Sequence, residues 1–139
     1  MSQQIILDAS VFVALIDRRD SYHNWAVREL AKISPPLITC EAAITETCFL
    51  LQRIPSSKEI IFSFIDKGVV QIPFHLDEET QSIEKLLDRY QNVPMSLADA
   101  CLVRMSEIYD NSAILTLDSD FKIYRKNRNE QIPVIIPDL

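Results

Sequence analysis

Five runs of three to five residues, at positions 5–7, 37–40, 69–72, 113–117 and 134–136, are almost wholly apolar and are separated by longer stretches with helical periodicity. This pattern limits the chain more than any other feature. A strand with one face in water alternates apolar and polar residues, whereas a strand covered on both faces is apolar throughout. Short, uniformly apolar strands alternating with helices imply a parallel sheet with helices on each side, joined by right-handed crossovers. The expected fold class is therefore α/β, a three-layer α/β/α sandwich around a mainly parallel five-stranded sheet.

The helices are read from their spacing and end signals. Trp25, Ala26, Leu30 and Ile33 define one over 22–33, and Ala42, Ile44, Phe49 and Leu50 another over 41–51. Ser56 followed by Glu59 reads as a capping box, and Gly68, the sole glycine, as the left-handed residue that ends that helix. A polar-faced helix over 77–90 turns Ile83, Leu86 and Leu87 inward, and Ser96 caps a last helix to about Tyr109. At 139 residues the chain fits one domain spanning 1–139. The first apolar run is broken by Asp8 and has no basic leader, so neither export nor a membrane span is expected, and a cytoplasmic location is. Cys40, Cys48 and Cys101 lack metal-ligand spacing and read as small core residues in a reducing compartment. His23 is expected at the surface and His75 without a role.

The acids carry the chemical signal. Asp8 and Asp118 each follow directly on a strand, and ligands in open α/β sheets bind beyond the carboxyl ends of strands where strand order reverses. On its own, each is equally explained as a turn or cap residue. Glu46 lies in a helix with few other charges, and Asp99 in the apolar start of the Ser96 helix. An isolated carboxylate in such company needs a partner, a proton or a metal. Four converging acids without matching bases call for divalent cations with oxygen ligands, Mg²⁺ or Mn²⁺. Such ions generate hydroxide from bound water and stabilise the oxygens of a phosphodiester under attack. The net charge of −6, from 20 acids against 14 bases, runs against bulk electrostatic attraction of nucleic acid. Any such binding must come from local clusters: Lys122, Arg125, Lys126 and Arg128, with Arg18 and Arg19 flanking the same crevice. Tyr22, Trp25 and Tyr124 are candidates for stacking on bases, with Trp25 read first as a core or dimer-interface residue.

Leu7-Asp8-Ala9-Ser10, Thr45-Glu46, Leu97-Ala98-Asp99-Ala100 and the segment from Leu115 through Asp118 to Phe121 resemble, in order and spacing, the PIN-domain family and its VapC-like toxins. That resemblance implies a metal-dependent ribonuclease in which Asp8 and Asp99 are the principal ligands of Mg²⁺ or Mn²⁺. Glu46 and Asp118 would complete the coordination. Ser10 and Thr116 would orient ligands or waters, and Asp120 would be an outer acid or a turn cap. It also implies an RNA substrate, a small antitoxin as partner, and a homodimer. Two other readings stay open: a PIN-fold module that binds RNA or protein without cutting, and a haloacid-dehalogenase-like phosphatase. The latter wants an aspartate two residues after Asp8, where this chain has Ser10. Receiver domains want an acidic pair earlier in the chain that is missing here.

Overall fold

The computed structural model describes residues 3–138. In chain order it contains β1 (Gln4–Leu7), α1 (Ala9–Ile16), α2 (His23–Ala31), β2 (Leu37–Ile38), α3 (Glu41–Leu50), α4 (Ser57–Asp66) and β3 (Val70–Gln71). A 3₁₀ turn (Leu76–Glu78), α5 (Thr80–Arg89), α6 (Leu97–Ile108) and β4 (Ser112–Leu115) follow. A second 3₁₀ turn (Ser119–Lys122), the hairpin β5 (Arg125–Lys126) and β6 (Glu130–Gln131), and β7 (Val134–Ile135) complete the chain. The main sheet runs β3-β2-β1-β4-β7 with every pairing parallel, so the α/β/α sandwich expected from the apolar runs is the one formed. No helix among the described residues is long and apolar enough to cross a membrane.

Side chains alternate across a strand, which splits the core in two. Ile5, Leu7, Leu37, Ala113 and Leu115 pack with α1, α2 and α4, while Ile6, Ile38 and Ile114 pack with α5 and α6. Helix α3 gives Ala43 to one cluster and Ile44 to the other, and packs against both α1 and α6. It thus bridges the two helical layers. Each large side chain shielded this way contributes roughly 1.5–3 kcal/mol of burial free energy, and Phe12, Ile6, Leu102 and Ile114 are among those that are fully shielded.

Several local expectations are corrected. Ser56 is not a cap: its φ of 64° is left-handed and its hydroxyl caps nothing, because the tight turn between α3 and α4 needs that conformation. The helix starts at Ser57, whose hydroxyl donates to the Leu51 carbonyl at 2.7 Å. Gly68 does close α4, with φ 74°. The stretch 77–90 is a 3₁₀ turn before it is a helix, and Glu79 at the break pairs with Arg104 of α6 at 2.6 Å. β4 ends two residues early, because the Leu117 amide turns out of the ladder to donate to Ser10 Oγ at 3.0 Å. Helix α1 and the β5–β6 hairpin had no forerunner in the sequence pattern. Cys40 and Cys101 are buried as expected and Cys48 is half-buried. His23 is not a plain surface residue: it is half-buried, with ring Nδ1 2.8 Å from the Ala14 carbonyl at the end of α1.

Candidate active site

β1 and β4 are adjacent in register, Leu7 opposite Leu115, so the residues that follow them, Asp8 and Thr116, meet at the carboxyl edge of the sheet. From β1 the chain steps to β2 and β3 on one side, and β4 and β7 lie on the other, so this is where strand order reverses. Asp8 is 5% exposed and takes extended backbone angles as the residue before α1, but its carboxylate does not cap that helix. Instead Oδ2 accepts from Ser10 Oγ at 2.8 Å and from Thr116 Oγ1 at 2.6 Å. Both hydroxyls also accept: Ser10 Oγ from the Leu117 amide, and Thr116 Oγ1 from the Asp118 amide at 2.9 Å. Both hydroxyls are therefore oriented, and Asp8 Oδ1 is the oxygen they leave unengaged.

The other acids arrive from three elements. Asp99 sits in the first turn of α6, where its amide donates to the Ser96 hydroxyl at 3.0 Å, the N-cap expected from the sequence. Asp99 Oδ2 accepts from the Tyr124 hydroxyl at 3.0 Å. Asp118 precedes the second 3₁₀ turn and accepts the Asp120 amide through Oδ1 at 2.9 Å. Glu46 lies midway along α3 and is exposed. The apolar neighbours in its sequence therefore do not enclose it. Asp120 is half-buried, with its backbone carbonyl accepting the Ile123 and Tyr124 amides.

Electrostatics ties the four acids into one unit. Burial raises the Asp8 carboxyl, partly offset by the Thr116 and Ser10 hydroxyls, and Glu46 and Asp118 raise it further. Burial pushes Asp99 up to about 6, against the Tyr124 hydrogen bond, with Asp8 and Asp118 adding to the rise. Desolvation lifts Glu46 as well, followed by repulsion from Asp99 and Asp118. Repulsion thus links every one of these acids to the other three. The ion pairs among the described residues, Lys32–Glu29, Arg104–Glu79 and Arg104–Glu107, lie elsewhere, so no cation relieves the strain.

No group of three or more His, Cys, Asp or Glu side chains among the described residues is drawn closely enough to hold a metal ion as it stands. The donor set nevertheless fits a hard divalent cation. It offers carboxylate oxygens alone, with excess negative charge and one Asp8 oxygen unengaged. A bound cation would offset the repulsion that adds to burial in raising the three carboxyls.

The expected nucleic-acid contacts need revision. Tyr124 is fully buried, edge-on to Tyr90 and Phe121, and serves as donor to Asp99 rather than as a stacking surface. A lone tyrosine in a polar stretch gives no sign of that in sequence. Tyr22 and Trp25 are half-buried against the core. Of the basic cluster, Lys126 is 5% exposed and Arg125 spends one guanidinium nitrogen on the carbonyls of Lys122, Ile123 and Tyr124. Lys122 and Arg128 remain exposed. Arg18 and Arg19 do not flank the crevice: they lie beyond the far end of α1, about 12 Å of helix from Asp8.

Comparison with known proteins bears on the family and the fold. A family model described as the PIN domain matches residues 5–127. A search of curated proteins found no match. Among solved structures, the sarcin–ricin-loop-cleaving toxin VapC20 of Mycobacterium tuberculosis superposes with a TM-score of 0.75 at 24% identity, covering 86% of this chain and 94% of that one. FitAcB from Neisseria gonorrhoeae gives 0.53 at 11% identity, covering 84% and 88%. Likeness at these identities speaks to the fold.

Proposed function

The chain belongs to the PIN-domain family, and from that premise we propose that it is a Mg²⁺- or Mn²⁺-dependent endoribonuclease. The observation that carries the proposal is the set of four mutually repelling carboxylates, Asp8, Glu46, Asp99 and Asp118, gathered without a cation where strand order reverses. A metal ion held there supplies an acidic bound water and positive charge for the oxygens of a phosphodiester.

The chain's own residues prepare for that chemistry. Asp8 and Asp99 are the principal ligands, and Glu46 and Asp118 complete the set. Ser10 and Thr116 fix the Asp8 carboxylate in one orientation, since each hydroxyl donates to Oδ2 and accepts a backbone amide. The Tyr124 hydroxyl donates to Asp99 Oδ2. Such outer partners typically matter about ten- to a hundredfold for metal affinity or activity. Glu46, exposed on α3, is the acid best placed to meet solvent or substrate. Asp120 acts as an outer acid. The protein would work in the cytoplasm as a homodimer, and the likeness to a toxin supports a small antitoxin as partner.

A second reading has one observation behind it: the acids are not drawn together to ligating distance, as a binding module without catalysis would allow. Incubating the protein with labelled single-stranded and structured RNA in Mg²⁺, Mn²⁺ or EDTA, beside Asp8→Asn, separates the two. Cleavage that needs metal and is lost in the variant supports the nuclease. Metal binding without cleavage of any RNA supports the binding module, and absence of both overturns the catalytic proposal.

A further inference from the structure

The acidic centre repels the phosphates it is meant to cut, and the basic cluster near Asp118 is partly consumed by internal bonds. The cations that hold a substrate strand have to be found elsewhere. Helices α1 and α3 bring Asp8 and Glu46 to the centre, and their far ends converge on a cleft of about 380 Å³. Its rim carries Arg18 and Arg19 from the α1–α2 loop and Arg53 from the α3–α4 turn. Its apolar wall is Ile16, Ile54 and Pro55.

All three arginines are exposed, and none of their guanidinium groups makes an ion pair or hydrogen bond to protein among the described residues. Arg104, Arg89 and Arg125, by contrast, are each committed to a carboxylate or to backbone carbonyls. The one acid of the cleft, Asp17, has Oδ1 turned to the Arg19 backbone amide at 3.0 Å. Three uncommitted guanidinium groups around an apolar wall, in a chain of net charge −6, make a local positive site against the overall sign. Guanidinium forks match phosphate oxygens, and the apolar wall suits the face of a base.

We infer that the cleft between the α1–α2 loop and the α3–α4 turn is a remote subsite for the sugar–phosphate backbone of a single-stranded nucleic acid, held by Arg18, Arg19 and Arg53. The inference rests on the nuclease reading for the identity of the strand. The spacing follows from α1 itself: about 12 Å of helix separates Asp8 from the cleft, a few nucleotides of chain. A strand anchored there reaches the acids without the whole surface being basic. Phosphate contacts position and do not read sequence, so the subsite sets affinity and length preference rather than base choice.

The test is fluorescence anisotropy on the Asp8→Asn protein, with a single-stranded RNA long enough to span both sites, across a salt series. Because binding is read without cleavage, failure of the nuclease reading and failure of this one are distinguishable. Removing one phosphate contact from a single strand lowers the salt slope by about 0.7. Arg53→Gln should show that fall, and Arg28→Gln, an exposed arginine outside the cleft, should not. The triple variant Arg18→Gln, Arg19→Gln, Arg53→Gln should lose about 2 in slope, on the order of a hundredfold in affinity at about 0.1 M salt. Equal falls for Arg53→Gln and Arg28→Gln would mean bulk charge only and would overturn the subsite. So would an unchanged slope in the triple variant, or a cleft that takes a polyglutamate peptide in preference to RNA.

Discussion

Asp99→Asn should make the metal-free protein more stable at neutral pH while removing its response to metal. The Asp99 carboxyl is raised from 3.8 to about 6, with burial as the first cause. Well below pH 4 the group is protonated folded and unfolded, and costs nothing. As pH rises through about 6 the folded chain must ionise it against burial and against Asp8 and Asp118, while the unfolded chain already has. Stability is therefore lost across the window from about 4 to about 6 and stays lost above it. A rise of that size corresponds to about 3 kcal/mol, at about 1.36 kcal/mol for each tenfold change in acidity, an upper figure for a group this close to the surface of the crevice. The asparagine side chain of the variant carries no such cost, and its carbonyl oxygen still accepts the Tyr124 hydroxyl. The variant should gain about 1–3 kcal/mol at pH 7, or roughly 3–10 °C in Tm for a chain of this size, and almost nothing at pH 4. Thermal melts followed by circular dichroism in chelator, from pH 4 to 8, measure the gap directly. Mn²⁺ should then raise the wild-type Tm and leave the variant nearly unmoved. A gap that does not depend on pH, or a variant less stable than wild type at pH 7, would refute the electrostatic account.

Thr116→Val removes the hydroxyl that holds Asp8 and receives the Asp118 amide, so Mn²⁺ affinity by calorimetry should fall about ten- to a hundredfold with the fold kept. Tyr124→Phe keeps the edge-on ring packing but deletes the bond that lowers the Asp99 carboxyl. Its metal binding should therefore develop at higher pH than in wild type, read as a shifted midpoint in a pH titration. Ile114→Ala opens a hole in a fully buried strand position and should cost about 2–5 kcal/mol in urea unfolding. Asp8→Asn should reduce metal-dependent RNA cleavage by more than about a hundredfold, beyond the effect expected of an outer partner alone.

Two of the four acids were legible in the sequence because strand ends are local: a run of apolar residues stops, and the next residue is at the sheet's edge. That put Asp8 at the crevice directly and Asp118 only near it, because β4 ends at Leu115 and Thr116 is the residue that follows it. Ser96 as a cap and Asp99 in the first turn were legible for the same reason, since helix ends announce themselves within three residues. Glu46 stood out as a charge in an apolar helix, yet it is exposed, because a helix can be apolar in composition and still border solvent on one face. Base stacking by Tyr124 does not survive the fold. An aromatic ring in a polar segment looks available until the packing of Tyr90 and Phe121 is known. Ser56 showed the limit of pattern: the capping spacing was present, but the turn required a positive φ that denies the hydroxyl its amide.

The sequence by itself determined the α/β class, the parallel sheet and which four acids stand out, because apolar periodicity and strand-end chemistry are written within a few residues of one another. The tertiary structure decided which groups serve those acids. It brought Thr116 to Asp8 across 108 residues and Tyr124 to Asp99 across 25. It buried Lys126, left Arg18, Arg19 and Arg53 uncommitted around one cleft, and set that cleft a helix length from the acids. Those pairings depend on the register of β1 against β4 and on where two helices end, and neither distance exists along the chain until the sheet has closed.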